Sequence, residues 1–373
     1  RGWHRPSGLA RWWWTKLQFF RNSFPFESTT YSQLPVNHII GSKSAAATPA
    51  VKWLLVDEES AGQRLDNFLM RHLKGVPKTH VYRIIRSGEV RINKGRASAE
   101  TRVENGDEVR LPPVRISDKV AEKAAQPAPS REFPVLLEDD SLMAIDKPSG
   151  VAVHGGSGVS FGVIEQLRQS RPQAKLLELV HRLDRDTSGI LLVAKKRSAL
   201  KHLQDQFRER ETGKTYLALV KGDWPAKLKV IDQPLHKFLL PGKDGQEGER
   251  RVRVTTPEDP DGMRSITLVK VAQRLPGASL LEVTIKTGRT HQIRVHLSAQ
   301  GHPIAGDDKY GDFDWNRQLL KPSSGPGLKR MFLHAWRLQF NHPVSAERVA
   351  LQADLPPELK AYVDHAQLKT SPI

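Results

Sequence analysis

The sequence predicts an α+β protein with two folded parts. Two short helical patterns followed by two alternating apolar runs occupy residues 62–112, a proline-rich stretch comes next, and from residue 132 short β-like runs alternate with a few helices. At about 150 residues per domain, 373 residues accommodate two, and 38% hydrophobic with 27% charged residues is an ordinary globular composition.

Residues 1–50 differ from the rest. Trp3, Trp12, Trp13 and Trp14 are four of the eight tryptophans, and Glu27 is the only acid in the segment. It has neither the apolar stretch of a secretory signal nor a 3.6-residue stripe. We read it as a basic, disordered extension or an upstream-start artefact, and the absence of Met at position 1 as trimming or misassignment.

In the unit at 62–112, Leu65, Phe68, Leu69 and Leu73 follow helical spacing. A second helix is expected from Thr79 as N-cap, with Val81, Ile84 and Ile85 inward and Gly88 as its stop. Val90 and Ile92, a Lys94-Gly95 turn, and Val109 and Leu111 after Asn105-Gly106-Asp107 predict two short strands. Twelve Lys/Arg face six Asp/Glu in 62–115, and Arg83, Arg86, Arg91 and Lys94 fall at the helix-to-strand corner. Such a corner is either a solvated basic face or a surface that tracks phosphates.

Residues 113–131 carry few large apolar groups and read as a linker. Beyond it, strands are expected at Val135-Leu-Leu, Leu142-Met-Ala-Ile, Ile190-Leu-Leu-Val-Ala, Tyr216-Leu-Ala-Leu-Val and Leu280–Ile285. A helix is expected over Ser198–Arg210, capped by Ser198 and burying Leu200, Leu203 and Phe207. The segment 241–249 reads as a long mobile loop, and 241–262 as a clamp on the substrate.

A formal charge of +17 points to a polyanionic partner. The absence of cysteine excludes disulfides, Cys-ligated zinc, iron–sulfur clusters and thiol nucleophiles, and fits a reducing compartment. No run approaches the ~18 apolar residues of a membrane span, so a soluble, cytoplasmic protein is expected.

Two segments concentrate chemistry. His181-Arg-Leu-Asp-Arg-Asp-Thr-Ser-Gly189 is a polar run wedged between apolar neighbours. Asp184 within it is flanked by Arg182 and Arg185, and an ionised carboxylate held beside cations can act as nucleophile or electrostatic stabiliser. Alone, the segment is equally a structural ion-pair loop. Thr287-Gly-Arg-Thr-His-Gln-Ile-Arg-Val-His296 supplies Arg289, His291, Arg294 and His296, suited to phosphate or to another carboxylate. The two histidines lack metal-site spacing, so no metal is expected. Gly155-Gly-Ser-Gly158 lacks the features of a P-loop or a Rossmann turn, which leaves no nucleotide cofactor indicated.

Taken in order, Ile145-Asp-Lys-Pro-Ser-Gly150, His181–Gly189, Lys214-Thr-Tyr-Leu-Ala-Leu-Val-Lys-Gly222 and Thr287–His296 resemble the RluA-type pseudouridine synthases, and 62–112 resembles an S4 RNA-binding domain. Asp66-Asn-Phe-Leu69, Leu73–Lys78, Gly88–Asn93 and Val151–Gly158 are most similar to the C-type, large-subunit branch. The resemblance runs from about Val51 to the end. It implies a mixed, mainly antiparallel β catalytic domain over 132–373 with a central cleft, joined to the S4-like domain. It implies isomerisation of specific uridines of large-subunit (23S) ribosomal RNA, free or in a pre-ribosomal particle, by a monomer without metal or cofactor. It makes Asp184 the catalytic carboxylate, Tyr216 the aromatic that stacks on uracil and helps remove the C5 proton, and Arg294 the partner of the aspartate. Arg182 becomes the cation that fills the gap left by the flipped base. Lys147, Arg289 and His291 hold RNA phosphates or brace the cleft floor, and Arg83, Arg86, Arg91 and Lys94 bind RNA.

The physical demands agree. A uridine must leave its stack to be reached, at a cost of a few kcal/mol, and needs a wedge in the vacancy and an aromatic face to receive it. A non-catalytic assembly factor is the rival, and it predicts that Asp184→Asn leaves function intact. A glycoside hydrolase using Asp184 and Asp186 needs two separated carboxylates, which adjacent i, i+2 acids do not provide.

Overall fold

The computed structural model describes residues 50–58, 60–73, 76–114, 128–155, 161–240, 249–321 and 325–368. The expected N-terminal extension, most of the expected linker and the Gly-rich stretch at 241–248 lie outside them.

In the small unit, helix α1 (Leu65–His72) buries Leu65, Phe68 and Leu69, and helix α2 (Lys78–Arg86) buries Val81, Ile84 and Ile85. The second helix starts one residue before the expected Thr79 cap. Pro77 holds the cap position at φ −57°, and its carbonyl accepts from His80 N and Val81 N. A proline there has its φ pre-set and no N–H to lose. Gly88 does end the helix, at φ +73°.

Strands β1 (Lys52–Leu55), β2 (Arg91–Ile92), β3 (Gly95–Arg96) and β4 (Glu108–Leu111) form an antiparallel sheet in the order β1-β4-β2-β3. The β2–β3 turn sits one residue earlier than expected. Asn93 and Lys94 take φ +46° and +68°, and Asn93 is fixed by donating to Asp107 Oδ1 and accepting from Glu108 N. Asparagine tolerates this conformation better than most residues.

The large unit is built on a ten-stranded sheet. Strands β5 (Val135–Glu138), β6 (Leu142–Lys147), β7 (Glu178–Leu179), β8 (Ser188–Ala194), β9 (Gly213–Lys221), β10 (Val230–Asp232), β13 (Ile266–Leu275), β14 (Ala278–Ile285), β15 (Leu333–Asn341) and β16 (Arg348–Gln352) belong to it. The order is β10-β13-β14-β9-β15-β8-β6-β5, with β7 on β8 and β16 on β15. Every pairing is antiparallel except β15 with β8, so the expected mixed, mainly antiparallel α+β architecture is the observed one.

The parallel contact is short, His334 opposite Ser188 and Ala335 opposite Gly189. Beyond it β15 departs from β8 and pairs with β16 while keeping β9 on its other side. The sheet is thus two halves joined at a seam. Gly189 is what lets them meet: it has φ +110°, and a Cβ there would lie 2.3 Å from Ala335 O.

The helices flank this sheet: α3 (Val163–Ser170), α4 (Arg197–Glu209), α5 (Gln292–Ala299), α6 (Phe313–Leu320) and α7 (Pro357–Leu368). Helix α4 buries Leu200 and Leu203 as expected, but begins at Arg197. Lys196 occupies the cap position with no side-chain bond, and its carbonyl accepts from Leu200 N, which places Ser198 inside the first turn.

Part of the expected clamp is ordered ribbon. Strand β12 (Glu249–Val254) pairs along its length with β11 (Leu235–Leu240), because Val252 and Leu235 are buried with Val295 of α5. Residues 255–262 form a turn around Asp259, whose carboxylate accepts from Thr255 Oγ1 and Asp261 N and bonds His236 Nδ1.

Candidate active site

Asp184 lies in the loop that leads into β8, immediately before the seam. The loop is fastened at both ends. His181 stacks on Phe207 of α4, with ring centroids 4.7 Å apart, and its Nε2 accepts from Leu192 N at 3.1 Å. An imidazole that accepts there is neutral, and burial pushes its pKa down to about 3. Downstream, Thr187 N donates to Asp184 O and Ser149 Oγ donates to Asp186 O.

The cation beside Asp184 is not one of its neighbours in sequence. Arg182 is exposed, and among the described residues its guanidinium has no hydrogen-bond or ion-pair partner. Arg185 turns to Asp186, at 3.2 Å. Instead Arg294 of α5 donates through Nη1 to Asp184 Oδ2 at 3.3 Å, from 110 positions away in sequence.

Arg294 is itself clamped. It donates to both oxygens of Asp307, at 2.7 and 2.6 Å, and to Asp308 at 3.2 Å, and it lies 5.2 Å from the Tyr310 ring centroid. Burial raises the Asp307 carboxyl, but the guanidinium and the Lys309 and Tyr310 N–H groups outweigh it and hold the pKa below the usual range. The reading of the sequence missed Asp307, Asp308 and Tyr310. The requirement that could have found them is that a buried arginine needs carboxylate partners.

His291 precedes α5 in the left-handed region at φ +54°. Its Nδ1 hydrogen-bonds Tyr310 Oη at 2.8 Å, and its Nε2 stands 3.9 Å from Asp184 Oδ1. Burial lowers its pKa, partly opposed by the Asp184 charge. His291 therefore faces the carboxylate as a mostly buried, neutral imidazole, a poor phosphate ligand. Arg289 is half-buried; its backbone N donates to Gln292 Oε1, and among the described residues its guanidinium makes a 3.5 Å contact to Arg264 O. Both ring nitrogens of buried His296 are engaged, with Thr267 Oγ1 and Gln233 O.

Tyr216 on β9 lies opposite Ala335 and packs against the core clusters of both halves of the sheet. Burial raises its phenol pKa, and the nearby Asp184 charge raises it further, so the ring sits at the seam as a neutral phenol.

Of the two tasks expected of Lys147, its surroundings favour bracing the cleft floor. Its side chain is fully buried, and Nζ donates to Pro148 O, Val151 O and Arg185 O at 2.8, 2.8 and 3.0 Å. Three carbonyls match the three ammonium hydrogens, although burial pushes the pKa down to about 7. Lys147 ties the Asp184 loop to the end of β6, and no hydrogen of its ammonium is left for a phosphate.

The chain is similar to known proteins over most of its length. A family profile described as RNA pseudouridylate synthase matches residues 141–299, and an S4 domain profile matches 63–109. Over 316 residues the chain is 51% identical to ribosomal large subunit pseudouridine synthase C of Escherichia coli (strain K12), covering 84% of this chain and 96% of that protein. The chain belongs to the RNA pseudouridylate synthase family. The protein of the same name from Haemophilus influenzae is 50% identical over 315 residues, 84% of this synthase and 94% of the relative. Among solved structures, human RNA pseudouridylate synthase domain containing 4 is 26% identical, with a TM-score of 0.49 over 63% of this synthase and 93% of that chain.

On the S4 domain, Arg83, Arg86 and Lys94 are exposed. Arg83 is 3.9 Å from Glu89 and 3.2 Å from His80 Nε2, and Arg91 donates to Lys94 O at 3.1 Å. The guanidinium of Arg86 and the ammonium of Lys94 have no such partner among the described residues, and these are the two most available cations of the four. No helix of the described residues is long and apolar enough to cross a membrane.

Proposed function

We propose that this synthase isomerises specific uridines of large-subunit ribosomal RNA, free or in a pre-ribosomal particle, with Asp184 as the acting carboxylate. The observation that carries the reading is the Asp184–Arg294 pair at 3.3 Å, with Tyr216 in the same seam. The reaction breaks the C1′–N1 bond and forms a C1′–C5 bond, and the proton on C5 is replaced by one on N1. It is balanced without redox change or hydrolysis, so its stoichiometry calls for no cofactor.

Each residue has a task that its surroundings favour. Arg294 fixes Asp184, which acts either at C1′ or on the uracil ring as the glycosidic bond breaks. Tyr216 offers its ring to the uracil. Its phenol stays protonated while Asp184 carries charge, so help in removing the C5 proton fits a stage at which that charge is spent. Exposed Arg182 is free to enter the RNA stack, where a planar cation can stand in for the extruded base. The S4 domain, with Arg83, Arg86, Arg91 and Lys94, supplies phosphate contacts. We read the working form as a cytoplasmic monomer.

Carbodiimide mapping by primer extension on unmodified large-subunit rRNA tests this, with Asp184→Asn alongside. New stops at a few discrete uridines with the native protein alone are expected. Equal stops with both proteins remove Asp184 from the chemistry, and none with either, while both bind RNA, favours an assembly factor.

A further inference from the structure

A cavity of about 950 Å³ adjoins the Asp184 site, with Arg185, Asp186 and Asp308 in its wall and Asp146 among the other lining residues. The first two follow Asp184 in the chain, and Asp308 touches Arg294, which touches Asp184. Asp146 alternates with Ile145 and Lys147 and so lies on the sheet face of Leu142 and Ala144, opposite the face of Tyr216. A nucleotide next to one bound at Asp184 would reach the cavity around the end of the sheet, along the rim of Arg185, Asp186 and Asp308.

The distribution of charge says what part of a nucleotide fits. Arg131, Arg185 and Lys329 are exposed. Of the two other cations of the lining, Lys147 is consumed by three carbonyls. Arg330 is held by Ser188 Oγ at 2.7 Å, Met331 O at 3.2 Å and Glu358 at 3.1 Å. Asp146, half-buried at the end of β6, has no hydrogen bond or ion pair from its carboxylate among the described residues. Burial raises its pKa, helped by the Asp354 charge and opposed by those of Arg330 and Lys147. A half-buried carboxylate without a donor favours a hydrogen-bond donor over a phosphate. Prolines 148, 356 and 357 give the lining apolar surface against which a ring can lie.

We propose that this cavity takes an unstacked base of the substrate RNA, near the target uridine, whose exocyclic amino group donates to Asp146 while its phosphate stays at the exposed cations. The inference rests on the reading of the chain as an RNA-modifying synthase. A carboxylate accepts well from a base amino group, as from cytosine N4, and the volume lies within the range of small-ligand pockets.

The test uses transcripts of the substrate region in which each nucleotide within three positions of the modified uridine is replaced in turn by its counterpart lacking the amino group. These are uridine for cytidine, inosine for guanosine and purine riboside for adenosine. At one position the native protein is expected to lose roughly tenfold in kcat/KM. Asp146→Ala is expected to act on both members of that pair alike, matching the native rate on the transcript without the amino group. Should the alanine variant fail to fold, Asp146→Glu makes the same test, because it moves the carboxylate while keeping the charge. Discrimination that persists in the variant, or none at any position with the native protein, overturns the base pocket alone. No pseudouridine from the native protein on any transcript overturns the synthase reading and the pocket with it.

Discussion

Replacing Asp307 by alanine asks whether the protein or Asp184 itself holds Arg294 in place. The side chains of Arg294 and Asp307 are 3% and 1% exposed, and two short bonds join them. The same carboxylate accepts from Lys309 N and Tyr310 N at 2.9 and 3.0 Å. The substitution therefore leaves a buried guanidinium without its bidentate partner and two N–H groups without an acceptor. The remaining contacts are longer, at 3.3 Å to Asp184 and 3.2 Å to Asp308, and the Asp308 side chain is 59% exposed and so well screened. Removing one partner of a buried pair costs about 3–5 kcal/mol, on the order of 10 °C in the melting midpoint of a domain this large. Urea and thermal unfolding of the full chain, native against Asp307→Ala, measure it. Single-turnover pseudouridine formation on saturating RNA is expected to slow, with RNA affinity little changed. A stability loss below about 1 kcal/mol, the scale of one ordinary hydrogen bond, would mean that Arg294 is not held by Asp307. An unchanged single-turnover rate would show that its placement does not matter to Asp184.

Three further outcomes follow from the same geometry. Lys147→Met leaves three carbonyls without their donor and is expected to cost roughly 3 kcal/mol or more in urea unfolding, while the salt dependence of RNA affinity stays as in the native protein; a shallower slope would return Lys147 to the phosphate contacts. Gly189→Ala puts a Cβ 2.3 Å from Ala335 O at a φ of +110°, so the chain is expected to be insoluble or to melt far below the native protein, and a native-like melting curve would show that the seam can open. His334, fully buried and bonded to Ser188 Oγ, has its pKa pushed down by burial to about 4. Between pH 6.5 and 4 the unfolded chain binds a proton that the folded chain does not, so this stability is complete above pH 6.5 and about 2 kcal/mol is gone by pH 5; denaturation midpoints that stay flat from pH 7 to 5 would contradict it.

What was legible in the sequence follows from where each structure gets its partners. β6 and β8 are buried on nearly every residue, so they read as unbroken apolar runs. α1, α2 and α4 each bury one stripe, so their phase was readable even where the cap residue was not. β1 was not read, because it is an edge strand with Trp53 and Leu55 exposed and only Leu54 turned to the core, which breaks the alternation. β12 was read as loop because its Glu-Arg-Arg-Val-Arg-Val sequence carries charge on the outward face and only two valines inward.

The candidate site divides the same way. Asp184 stood out as a charged residue between core strands, but the physical argument first attached to it, two flanking arginines, does not hold in space. Arg182 points to solvent and Arg185 to Asp186, and the cation that matters arrives on α5 with its own acid, Asp307, fixing it from the far side. No local pattern announces that triad, since Arg294 and Asp307 pair within one half of the sheet and Asp184 comes to them from the other, beside the seam at Gly189. The order of dependence therefore runs from the seam to the clamp on Arg294, and from that clamp to the placement of Asp184. Substitutions at Gly189 or Asp307 are expected to act on chemistry through geometry, whereas Asp184→Asn acts with the geometry intact.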